Sequence, residues 1–190
     1  MTEKDIFAER GRSLEEDYFR KKDRELIEKM REAAAAELDR QEMGARTGLS
    51  DPELLKDLQD LGFTPDTLAL LPLVPVIQMA WAEGGITAEE RTLLTNLARK
   101  RGIAAGSEAD RQLAAWMDNR PDESAFTRAR RLIAAILAAG GQTDINAEDL
   151  VKYCESIAYA SGGFLGIGRI SSEERALLDS IAAELRTRHR

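Results

Sequence analysis

Residues 80–98 read AWAEGGITAEERTLLTNLA, and residues 158–182 read AYASGGFLGIGRISSEERALLDSIA. Apart from a six-residue insertion, FLGIGR, the two stretches align position by position, with their starts 78 residues apart. Each begins with an apolar segment ending on an aromatic residue, then passes through Gly-Gly, the residue type a tight turn tolerates best. Each then presents a hydroxyl three residues ahead of a glutamate, Thr87–Glu90 and Ser171–Glu174. That is the spacing of a capping box, in which the hydroxyl receives a first-turn amide and the carboxylate reaches back. The apolar residues that follow recur at helical spacing. The unit is a helical hairpin, and two copies predict pseudo-twofold packing of helix pairs in one bundle.

Working outward, no stretch alternates polar and apolar residues as a half-buried strand does, and Ala, Leu, Glu and Arg dominate. The start and stop signals predict helices near 13–42, 51–60, 65–82, 87–102, 107–119, 122–139, 146–160 and 172–188. Ser50–Glu53 fits a further capping box, Asn146 is a good N-cap, and glycines 62, 102, 140 and 141 fall at expected stops. The run LALLPLVPVIQMAWA, 68–82, is shorter than the ~20 residues a membrane span needs, and Pro72 and Pro75 interrupt it. It predicts a buried central helix, with no membrane span. Cys154, Trp81, Trp116 and Tyr159 are expected in the core. The glycine-rich loop 162–169 lacks a phosphate loop's ending and is expected to fold its Phe164, Leu165 and Ile167 onto the bundle. The fold class is all-α.

The repeat resembles the TerB-like family, named for tellurite resistance, over about residues 64–185. Its members carry a helix ending in Ala-Asp-Gly, an Ile, and a Glu seven residues after the Asp. Glu83-Gly84-Gly85-Ile86 and Glu90 stand at those positions, and Glu174 matches in the second copy, where Ser161 replaces the acidic residue. The resemblance implies a compact bundle of about seven helices, and seven are read here from residue 51 onward. It also implies divalent-metal binding, for instance of calcium, through Glu83, Glu90 and Glu174, with Glu89 and Glu173 beside them. The capping boxes account for Glu90 and Glu174, and the helix dipole for Glu89 and Glu173, without a metal.

Composition narrows the function. The chain has 190 residues, with 27 Lys and Arg against 34 Asp and Glu, and a formal charge of −7. That balance argues against a general nucleic-acid or anionic-membrane binder. A single cysteine, Cys154, and a single histidine, His189, leave no disulfide framework, no thiolate zinc site and little imidazole for catalysis. The N-terminus carries no apolar secretory stretch. The expectation is a cytoplasmic, non-enzymatic binding or regulatory protein.

Charge density changes near residue 46. Residues 1–46 hold 11 Lys and Arg and 13 Asp and Glu, just over half of that stretch. The stretch from Gly44 to Pro52, with two glycines and a proline, reads as a linker. Two domains follow: a charged helical arm, 1–46, and a helical domain, 47–190. On the arm, Glu16–Arg20, Asp17–Lys21 and Glu25–Lys29 stand at i,i+4 in the favourable order. Its apolar stripe, Phe19, Leu26, Met30 and the alanines 33–36, is narrow.

The arm resembles the mitochondrial ATPase inhibitor proteins, small helical proteins that wedge into a catalytic interface of the rotary F1-ATPase. Their inhibitory segment has a Phe, an Arg three later, acidic residues, then Tyr-Phe-Arg and Glu-x-Leu. Phe7 and Arg10 fit the opening, Glu15 and Glu16 the acidic pair, and Tyr18, Phe19 and Arg20 the aromatic-basic core. Glu25, Ile27 and Met30 fit the following turns. The family's histidine-bearing regulatory segment and C-terminal coiled coil are replaced here by the linker and helical domain. The resemblance implies that these ten residues contact F1-ATPase catalytic subunits. Without it, the arm reads as a solvated helix that packs on its own bundle or self-associates.

Overall fold

The structure, a computed structural model, describes residues 3–139, 146–161 and 170–186, with side chains from residue 15 onward in those ranges except 161 and 186. Among the described residues there are eight α-helices, one 3₁₀ segment and no strand, so the all-α expectation holds. The chain divides into two units, Met1–Gln41 and Glu42–Arg190. The first is most of helix α1, Glu3–Thr47. The helix begins ahead of Ser13, taking in Phe7 and Arg10, whose side chains lie outside the described residues.

The second unit opens with the end of α1. Gly44–Thr47, expected as the start of a linker, is helix. Met43 is fully buried and Thr47 nearly so, and the Thr47 hydroxyl donates to the Met43 carbonyl at 2.7 Å. Arg46 donates to the Pro65 carbonyl at 2.8 Å and pairs with Glu42. Gly44 is small for a packing reason: a Cβ there would stand 3.1 Å from the Leu49 carbonyl oxygen. The break falls at Gly48, whose φ of 74° favours glycine. Helix α2, Pro52–Asp60, is capped by Asp51 rather than Ser50, its carboxylate accepting the Glu53 amide at 2.9 Å. Proline at the first helical position places the cap on the residue before it.

The run read as one helix over 65–82 is two elements, a 3₁₀ segment, Leu68–Leu73, and helix α3, Val74–Ala80. Pro72 and Pro75 lack the amides that an unbroken α-ladder would use, and the switch falls between them. All seven residues of α3 are buried, as a helix apolar on nearly every side requires. Helices α4, Ala88–Lys100, α5, Glu108–Asp118, and α6, Glu123–Ala139, follow close to their expected bounds. So do α7, Ala147–Ser161, and α8, Ser172–Arg186. Gly62 and Gly102 close α2 and α4 as expected; Gly140, Gly141, loop 162–169 and His189 lie outside the described residues.

The two predicted hairpins are α3–α4 and α7–α8. Helix α3 packs most extensively on its counterpart α7, and α4 contacts α7 as α3 contacts α8. A twofold relation between the hairpins demands that reciprocal pair of contacts. Cys154 is buried, and Trp81 and Trp116 are half-buried against the core, linked by a bond from Trp81 Nε1 to the Trp116 carbonyl at 3.0 Å. Tyr159, expected in the core, is 59% exposed. The one polar side chain of α3, Gln78, is satisfied: its amide donates to Glu123 at 2.8 Å and its carbonyl accepts from Arg130. Arg130 also donates to Glu184 at 2.8 Å, so α3, α6 and α8 share one part-buried network. No helix among the described residues is long and apolar enough to cross a membrane.

Candidate partner-binding helix and paired acidic turns

Every residue from 15 to 35 of α1 is exposed. Straight-chain and charged residues with high helix propensity sustain it, together with short-range ion pairs. Of the expected pairs, Glu16–Arg20 closes at 3.2 Å, while Glu25 lies 3.7 Å from Lys22. Tyr18 is 58% and Phe19 62% exposed, and their rings meet edge to face at 5.8 Å between centroids. Lys22 stands over the Tyr18 ring at 5.8 Å. Leu26, Ile27, Met30 and Leu38 are exposed as well. The expected contact residues Glu15, Glu16, Tyr18, Phe19, Arg20, Glu25, Ile27 and Met30 thus all lie on open surface. Large apolar side chains left in water on a helix are surface that a partner can remove from water.

The second group of predicted residues sits where the hairpins turn. Gly84 has a φ of 90°, which carries the chain from α3 into α4. The Glu90 carboxylate accepts from the Thr87 amide at 2.7 Å and the Thr87 hydroxyl at 2.9 Å, and the Glu90 amide donates back at 3.2 Å. The same box forms on α8, where the Ser171 amide donates to the Glu174 carboxylate at 2.8 Å and the Glu174 amide to the Ser171 hydroxyl at 3.1 Å. Both glutamates are buried, whereas Glu83, Glu89 and Glu173 are exposed.

Burial pushes the Glu90 carboxyl above the usual carboxylate range, more than the Thr87 bonds pull it down, and the charges of Glu174 and Glu83 push it further. The fold therefore brings Glu174 and Glu83 each within electrostatic reach of Glu90. Coordination is more demanding. Among the described residues no three His, Cys, Asp or Glu side chains are grouped so as to hold a metal ion. An apolar cavity of about 60 Å³ is lined by Leu61, Phe63, Trp116, Pro121 and Phe126 among others. It is too small for a typical cofactor.

The Gln78–Arg130–Glu184 network joins residues more than 50 positions apart, and no local signal marks it. At α2 the Asp51–Pro52 start is legible in the sequence, but the cap is Asp51 where Ser50 is expected. The fold and the exposed helix define an all-α protein with a helical bundle and a solvent-exposed N-terminal helix. No family model, curated protein or solved structure matches the chain.

Proposed function

We propose that this protein acts by binding rather than by catalysis, and that the N-terminal part of α1 enters a catalytic interface of a rotary F1-type ATPase and slows ATP hydrolysis. The observation that carries the reading is the exposed Tyr18–Phe19 pair, flanked by Glu16 and Arg20, on a helix exposed throughout residues 15–35. The two rings supply anchors, since aromatic side chains concentrate binding energy once enclosed. Arg20, Glu16 and Glu25 pair with charges lining the cleft and set orientation and on-rate more than affinity. A helix held there keeps the interface from closing on its nucleotide. The TerB-like bundle stays outside.

The test adds the full-length chain to an F1 complex during ATP hydrolysis. Inhibition is expected, and Tyr18→Ala/Phe19→Ala is expected to weaken it at least thirtyfold, from a loss of about 2 kcal/mol at even one enclosed anchor. No inhibition at tens of micromolar, with no ATPase subunit retained by the immobilised protein, overturns the reading. A second reading, a divalent-metal-responsive stress module, has one observation in its favour: Glu90 feels the charges of both Glu174 and Glu83. Calcium titration distinguishes it.

A further inference from the structure

The exposed part of α1 carries an apolar stripe, formed by Phe19, Leu26, Met30, Ala33 and Ala34, on one helix face. Charged residues border it unequally. Asp23 and Arg31 lie on one flank, and Lys22, Glu25, Lys29 and Glu32 lie on the other. The stripe is also unequal along its length. Its N-terminal end carries the large ring of Phe19, and its C-terminal end carries the tract Ala33–Ala36.

We propose that a second copy of this chain covers the stripe, the two α1 helices pairing antiparallel about a twofold axis near Ile27. Antiparallel pairing brings like flanks together. On one flank Asp23 then stands level with Arg31 of the second copy. On the other, Lys22 stands level with Glu32 and Glu25 with Lys29 of the second copy. Each pair joins opposite charges, and symmetry forms each twice. At the ends, Phe19 meets the small alanines of the other copy, large on small, while Leu26 and Met30 of both copies meet at the centre. A parallel in-register pairing brings opposite flanks together instead, and along the stripe it sets Phe19 on Phe19 and the alanines on the alanines, large on large and small on small. The intrahelical pairs Lys22–Glu25, at 3.7 Å, and Glu28–Arg31, at 3.9 Å, are exposed and contribute little, so exchanging them costs little. The pairing does not rest on the ATPase reading, and it is tested without an ATPase.

The experiment is light scattering on the full chain across a dilution series, with oxidative cross-linking. A mass of twice 21.0 kDa that falls on dilution is expected. Asp23→Arg, which replaces two attractions per dimer with two repulsions, weakens association roughly tenfold or more. Asp23→Arg/Arg31→Asp restores it. A mixture of Lys22→Cys and Glu32→Cys chains cross-links, but Lys22→Cys alone does not, because its two copies stand about 15 Å apart along the antiparallel pair. The native Cys154 is buried and does not report. A monomer at every concentration, cross-linking of Lys22→Cys by itself, or failure of the double reversal to restore association each overturns the proposal.

Discussion

Replacing Thr87 by Ala removes two contacts at the start of α4: the hydroxyl that receives the Glu90 amide at 3.2 Å and the hydroxyl donor 2.9 Å from the Glu90 carboxylate. Loss of an N-cap costs ~1 kcal/mol. Here the cost is larger, because Glu90 is only 1% exposed and its carboxylate would keep the Thr87 amide alone from this box. A buried charge short of one donor adds roughly 1 kcal/mol, for about 2 in all. Ser107→Ala on α5 is the control. The Ser107 hydroxyl receives the Asp110 amide at 3.1 Å, but the Asp110 carboxylate takes its bonds from Arg99 and the Gly106 amide. That change should cost ~1 kcal/mol, the ordinary value of a cap. Urea unfolding followed by far-UV circular dichroism measures both. If Thr87→Ala costs no more than Ser107→Ala, the buried carboxylate does not depend on its cap and the reasoning fails. Calcium calorimetry on the same proteins separates the cap from a ligand: the cap predicts no heat of binding, whereas heat lost in Glu90→Gln would make Glu90 a metal ligand.

The raised pKa of Glu90 has a signed consequence. The native state holds this proton to higher pH than the unfolded chain, so its contribution is full in acid and is lost as pH rises through the native value. Glu90→Gln should therefore gain stability relative to the natural protein as pH rises above the ordinary glutamate value of about 4, read as melting temperature against pH; a difference that does not change with pH refutes it. Burial pushes the Cys154 thiol up to about 12, so a thiol-reactive disulfide should label it only as fast as the chain unfolds. Rapid labelling of the folded protein would place Cys154 outside the core.

What was legible in the sequence divides by range. Capping boxes at Thr87 and Ser171, and stops at Gly62 and Gly102, depend on atoms within a few residues, and the structure has them where the spacing put them. Burial of 68–82 is legible from composition, but the form of its break is not, because two prolines three residues apart allow a kinked helix as well as a change of helix type. The 3₁₀ segment ahead of Val74 is the outcome. Tyr159 shows where a repeat misleads. It aligns with Trp81, yet cover for the Trp81 ring comes in part from α5, whose Trp116 carbonyl receives its N–H. A two-helix repeat carries no information about a third helix, so equivalence in the alignment did not become equivalence in burial. Gly44 is the converse. Glycine and proline nearby suggested a linker, but the glycine is required where a returning backbone, at Leu49, passes 3.1 Å from the position of a Cβ. The same limit applies to the arm. A stripe as narrow as Phe19–Leu26–Met30 cannot be wrapped on several sides, and that much is local. In the proposed antiparallel pairing its cover depends on complementarity between charges eight residues apart, such as Asp23 and Arg31, which no local reading of one helix brings together.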